Sequence, residues 1–287
     1  LATCPASWGI FWADARPSGV PAEVFMNQAA AAGYVGIELG PVGYLPTTRE
    51  ELQKEFAPRG LVARAGTTCL TLDNLQSFED WRENAQKMCS LLQSLDVQYL
   101  VMMDESEFAK TPEGKRQNPQ KMEKCYNIVK DYVAFARRFG VTVVYHPHAQ
   151  TIVETEEEIL KLMRVTDCML CLDTGHHQLI NGKAEFGNDT TTRFYVQHHA
   201  RIPFLHFKNV GLQAMLGYQK TGSMDPTPFC PLADGVIDFA QFAAALQETN
   251  YDGIGVVEQD MPHAPAEESY WLAIANREYL QKTGIIA

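Results

Sequence analysis

The chain is short of positive charge. Its 24 lysines and arginines face 35 aspartates and glutamates, a formal net charge of −11. A protein that grips a phosphate backbone needs a basic footprint, so nucleic-acid binding is not expected, although a local basic pocket is compatible with that total. Long apolar runs are absent too. No stretch is long enough to span a bilayer, and no basic n-region leads an apolar h-region, so no membrane association is expected. The first residue is Leu1 rather than Met, which leaves room for a trimmed leader. No glycine-rich dinucleotide fingerprint follows the first strand-like segment, and no linker or low-complexity stretch divides the chain. Cysteine is present without a pattern. There are seven, an odd number, and Cys168 and Cys171 form a C-x-x-C inside "CMLCLD", a strand-like run with no helix directly after it. Redox pairs of that spacing want a helix N-terminus. Buried small hydrophobes in a reduced, cytoplasmic protein are the expectation.

What the chain has is alternation. Apolar runs of strand length begin at Tyr34, Leu61, Val97, Val141, Cys168, Ile202 and Gly253, and "TCPASWGIF" supplies a weaker first strand. These runs are apolar nearly throughout, as strands covered on both faces are. Helical patterns fill the gaps. One ends at Gly33 as a probable C′ residue and one stops at Gly140, while Ser77 with Asp80 and Thr155 with Glu158 have capping-box spacing. Regular strand–helix alternation implies a parallel sheet. Eight units in 287 residues favour a closed (β/α)8 TIM barrel, one domain over residues 1–287.

In such barrels the active site lies at the C-terminal strand ends. Those ends carry Glu38, His146 with His148, Asp173, His206 and Glu258. Alternation gives Asp173 the facing of Cys171 and Met169, and Glu258 that of Val256 and Ile254. If those residues fill the barrel, the polar tips converge above it. Taken singly, each has an ordinary explanation: a strand-end carboxylate caps a loop, and a buried histidine donates to a carbonyl. Four successive strands, the fifth to the eighth, each end in a good ligand, and that coincidence points to a divalent metal, Mn, Co, Mg or Zn.

The stretches "HPH", "CLDTGHH", "LHFKN" and "VVEQD" follow one another in the order and spacing of the xylose isomerase-like barrel superfamily, which the chain resembles over nearly its whole length. That superfamily contains sugar isomerases, epimerases, dehydratases and abasic-site endonucleases. Within it, "GIELGPVGYLP", the H-x-H strand end, "LADGVIDF" and "VVEQD" look most like inosose dehydratases of inositol catabolism. The resemblance implies His146, Asp173, His206 and Glu258 as metal ligands, with His176 and Lys208 touching substrate. The superfamily's epimerases generally place a glutamate where this chain has His146. Two histidines and two carboxylates make a formally neutral site with a dication, a stronger Lewis acid that holds its metal more loosely. His148 is the alternative ligand to His146, since Pro147 can bend the strand end.

The leading expectation is a metal-dependent lyase that dehydrates a keto-cyclitol or keto-sugar, with Glu38, His148 or His176 as base. Lys208 faces the same side of its strand as His206, where a cation can hold a substrate oxygen or an enolate. Trp8, Phe11 and Trp12 near the first strand, and Tyr44 after the second, are candidates to wall the sugar ring. His177, His198 and His199 read as surface or supporting residues. Residues 209–235 show no helical period and read as a long functional loop, in which Lys220, Asp225 and Phe229 carry no assignable role. An isomerase or epimerase, or an enzyme eliminating a glycosyl group from a 3-keto-glycoside, shares the same first step. A non-catalytic sugar-binding barrel is the reading of another class, and the acidic charge counts against an abasic-site endonuclease. The expected partner is a small polyol or keto-sugar, with a homo-oligomer left open.

Overall fold

The computed structural model describes residues 1–224, 227–260 and 263–286. Its strands run in chain order as β1 (Ala2–Thr3), β2 (Gly36–Glu38), β3 (Val62–Leu70), β4 (Tyr99–Asp104), β5 (Thr142–Tyr145), β6 (Met169–Asp173), β7 (Phe204–Phe207), β8 (Asn209–Val210), β9 (Phe229–Cys230) and β10 (Ile254–Val257). The first seven and β10 close a barrel in sequence order, every neighbour parallel, while β8 and β9 form a separate antiparallel pair. The fold is the (β/α)8 barrel.

The barrel interior is filled by Ala2, Ala65, Val101, Val144, Cys171, Phe204 and Val256, all fully buried. Small residues on some strands make room for Phe204 and Tyr99, which meet edge to face at 5.7 Å. Layers of inward side chains of this kind make a solid floor rather than a pore. Outside it, the helices bury one face each against the strands. Their ends follow local chemistry: Ser77 with Asp80 and Thr155 with Glu158 form complete capping boxes. Gly33 and Gly140 take left-handed backbone (φ 87° and 71°), the conformation that ends a helix without a Cβ penalty. All seven cysteines are free, and Cys168 and Cys171 are buried in the wall. No helix among the described residues is long and apolar enough to cross a membrane.

Two segments differ from the sequence reading. The first strand is only Ala2–Thr3; Pro5 opens a 3-10 turn through Trp8 instead, because proline has no N–H for a strand ladder and suits the first turn of a helix. The stretch after β7 contains the helix Leu212–Thr221 between β8 and β9. Only Met215 of that helix is buried, so it has no apolar stripe for a period to reveal.

Candidate active site

The polar strand ends meet where the barrel interior stops. His146 follows β5, and its Nδ1–H donates to the Pro147 carbonyl at 3.1 Å, which leaves the lone pair on Nε2. Asp173 closes β6 and caps the helix Thr174–Asn181. One carboxylate oxygen accepts from the His176 N–H at 2.8 Å, and the other faces the Lys208 ammonium at 3.2 Å. His206 lies beside Asp173 in register. Its Nε2–H donates to Glu38 at 2.8 Å, which turns Nδ1 toward a Glu258 oxygen 2.5 Å away. A proton or a cation must lie between two such atoms.

Of these atoms, His146 Nε2 is buried with no hydrogen-bond partner, Asp173 Oδ2 has only the Lys208 ammonium at 3.2 Å, and His206 Nδ1 has only the Glu258 carboxylate. An unpaired buried polar atom costs about 1–3 kcal/mol, so the bare His146 nitrogen at this spot needs an explanation. His146, Asp173, His206 and Glu258 each offer an atom within 4.8 Å of the others. Two imidazole lone pairs and two carboxylates are a donor set that fits a divalent ion.

A second group lies alongside: His148, His176 and Asp260, also within 4.8 Å of one another. Its hydrogen bonds give it a different character. His148 Nδ1–H donates to the Ala149 carbonyl at 3.0 Å, leaving a free lone pair on Nε2. His176 Nδ1 accepts from the Ala149 N–H at 3.3 Å, so Nε2 carries its proton and is a donor. Asp260 is held by Lys208 Nζ at 2.6 Å, and the same ammonium lies 3.1 Å from Glu258 and 3.2 Å from Asp173. With Lys208 this group sets a base and a carboxylate beside two donors, and it suits proton traffic better than a second cation.

Burial pushes the His146 and His176 imidazoles well below their usual range, helped by the neighbouring histidines and Lys208, and both are neutral. For His206 burial pushes the same way, but Cys171, Glu258 and Glu38 together outweigh it, and the imidazole is held well above its usual range. Burial likewise disfavours the Lys208 ammonium, yet Asp173, Asp260 and Glu258 keep it charged.

The "DTGHH" run builds this arrangement one residue at a time. Thr174 clamps Lys208 by donating to its carbonyl at 2.6 Å and accepting from its N–H at 3.0 Å. Gly175 leaves room for the lysine stem, since a Cβ there would lie 2.7 Å from Lys208 Cγ. His177 turns away into the helical layer, with Nδ1 at 3.0 Å from Thr191 and its ring 4.5 Å from Phe194. Burial pushes it down to about 3. His199 is exposed and His198 half-buried on the outer surface.

The sequence reading assigned Trp8 and Tyr44 to the sugar wall, and the structure places both elsewhere. Trp8 is fully buried, donates to Gln28 at 2.7 Å and packs edge-on against Phe25 at 5.0 Å. The Tyr44 hydroxyl donates to the Val20 carbonyl at 3.0 Å. Trp8 packs on the helix Ala22–Ala31 because Pro5 turns the chain inward before it, and Tyr44 meets Phe25 of the same helix at 6.1 Å. The cavity above the site, about 540 Å³, is lined instead by Phe11, Trp12 and Phe229 among others. Phe229 covers the two donors, with its ring 4.7 Å from Lys208 Nζ and edge-on to His176 at 4.5 Å. Lys220 is exposed, and Asp225 lies outside the described residues. Asp260 and Phe229 were missed as site residues. Asp260 was legible as the second acidic group of "VVEQD", two residues beyond Glu258. Phe229 had no local signal.

A family model described as xylose isomerase-like TIM barrel matches residues 26–275. The chain belongs to that family. It is 27% identical over 279 residues to an inosose dehydratase of Geobacillus thermodenitrificans, covering 91% of this chain and 89% of the relative. Two solved structures at 15% identity share the fold. One is the probable 3-DHS dehydratase AsbF of Bacillus anthracis, with a TM-score of 0.73 and 98% of each chain covered. The other is an IOLI protein with a bound zinc atom, with a TM-score of 0.69 and 99% and 97% covered.

Proposed function

We propose that this protein is a divalent-metal-dependent lyase that removes water from a keto-cyclitol or keto-sugar. The observation that carries the reading is the adjacency of two groups. Four unpaired or short-contacting ligand atoms meet at one point, and beside them stands a histidine with a free lone pair, flanked by two proton donors. The relative named inosose dehydratase supports the same class.

His146, Asp173, His206 and Glu258 would hold the metal, which when bound draws electron density from the ketone and acidifies the adjacent C–H. In this reading His148 Nε2 takes that proton, the His176 Nε2–H and the Lys208 ammonium hold substrate oxygens, and Lys208 gives a proton to the departing hydroxyl, so that water leaves as the C–O bond breaks. Phe229 keeps water off both donors. Epimerisation would need a second base to return the proton from the other face. Glu38, a carboxylate at the cavity floor, is already held by His206 and, at 2.8 Å, by the Thr67 hydroxyl. That favours elimination. Proton NMR of keto-inositols, ketoses and 3-keto-glycosides incubated with the metal-loaded protein tests this: a dehydrated product is expected, and an epimer formed alone would overturn it.

Glu38, a candidate base on sequence, takes a different role here. With both oxygens engaged it sets the His206 tautomer, as a carboxylate behind a metal-binding histidine does. Glu38→Gln should weaken metal binding by about 10- to 100-fold and leave turnover at saturating metal within a few-fold. Unchanged metal affinity with turnover lost would return Glu38 to the role of base.

Metal uptake should also release a proton. Without a cation the acidic neighbours keep His206 protonated, and its Nδ1 must lose that proton to bind. Affinity should therefore rise with pH, by up to about tenfold per unit below the His206 pKa. Calorimetry in buffers of different ionisation enthalpy should show about one proton released per ion. A pH-independent affinity would contradict this placement of the proton.

A further inference from the structure

The cavity over the site has two unlike ends. Its floor is polar, with Glu38, His148, Glu258 and Asp260. The rest of its lining, the wall, is mostly apolar, with Ile10, Phe11, Trp12, Val42, Trp81 and Met103 outnumbering Thr68, Glu105 and Thr227. Two of these are large and open to solvent, Trp12 at 50% and Val42 at 60% exposure. The wall is built rather than incidental. Between Gly9 and Gly19 the chain makes a small hairpin, bridged from Ile10 to Pro17, with the Phe11 N–H donating to the Arg16 carbonyl at 3.0 Å. The Trp12 ring is braced by Phe11 at 6.1 Å and by the Arg16 guanidinium at 5.6 Å.

A bare polyol ring carries polar groups around its whole edge. It matches the floor, but where it lay on the apolar side chains it would lose water without gaining hydrogen-bond partners, which is unfavourable. A cavity of about 540 Å³ falls in the range of roughly 300–1,000 Å³ that holds drug-sized molecules. We infer that the substrate is a keto-polyol carrying a flat apolar substituent, such as an aryl group, which lies along Phe11, Trp12 and Trp81 while the polyol reacts at the floor. This rests on the reading of the floor as the reacting end. The occupant is part of the substrate because the wall and the floor line one continuous cavity, so a molecule seated at the floor reaches the wall.

The test uses two unreactive probes, methyl β-glucoside and phenyl β-glucoside, titrated by NMR line broadening into the metal-loaded protein and into a chelator-treated sample. Phenyl β-glucoside should bind about ten- to a hundredfold more tightly than the methyl compound, as expected for burial of one aromatic ring. That advantage should collapse in Trp12→Ala and shrink in Val42→Ser, while methyl β-glucoside binds both variants as it binds the native protein. Trp12 and Val42 are open to solvent, and circular dichroism checks that each variant is folded. Equal affinity for the two probes, or no binding of either, overturns the inference. An advantage that survives Trp12→Ala also overturns it. Chelation separates the two claims. If both probes weaken on chelation without a phenyl preference, the metal floor stands and the apolar inference fails. If the phenyl preference holds and chelation changes nothing, the substituent site stands and the reading of the floor fails.

Discussion

Replacing His148 by glutamine is expected to stop proton abstraction while leaving the metal in place. The histidine donates through Nδ1 to Ala149 and has its other nitrogen free. It lines the cavity and is not one of the four groups that meet at the proposed metal site. Glutamine keeps a similar reach but is not basic at neutral pH. A positioned general base is worth about two to four orders of magnitude, so kcat and solvent-deuterium exchange at the substrate α-carbon should both fall by that much. Metal content, measured by elemental analysis, should be unchanged. Exchange at the native rate in His148→Gln would move the base to another group. His176 would be the first candidate, since its ring centroid lies 3.6 Å from that of His148.

Replacing Asp173 by alanine is expected to strip the protein of its metal. Its second oxygen is one of the four ligand atoms that converge, and it contributes negative charge to the quartet. The same residue caps the helix Thr174–Asn181 through its other oxygen, so alanine should also cost about 0.5–2 kcal/mol of stability. Asp173→Asn separates the two effects. The amide oxygen can still accept from the His176 N–H, so stability should largely return, but the charge is gone and the metal should still be lost. Full metal occupancy in either variant would sink the ligand assignment.

Much of the fold was legible because strand and helix each leave a periodic trace, and the strand ends stand out as polar residues closing apolar runs. The facing of Asp173 with Cys171, and of Glu258 with Val256, follows from two-residue alternation alone, and both apolar partners lie in the barrel interior. What could not be read has a physical reason in each case. Trp8 and Tyr44 look like wall residues in the linear order, yet their polar atoms find buried partners in Gln28 and Val20, and sequence spacing does not report partners that distant. The choice between His146 and His148 turns on which way each ring faces after Pro147, a matter of backbone geometry. The role of Glu38 depends on His206, 168 positions away along the chain. Phe229 reaches Lys208 only because β8 and β9 pair across an intervening helix.

The most direct test of the central claim is α-proton exchange in deuterated water, followed by NMR, with a keto-inositol, a ketose and a 3-keto-glycoside offered to the native protein. Three samples are compared: metal-loaded, chelator-treated, and treated then restored with a divalent ion. Exchange leading to a dehydrated product in the first, none in the second, and recovery in the third is the predicted result. Exchange that is indifferent to the chelator, or a metal-loaded protein that exchanges none of these substrates, would contradict it.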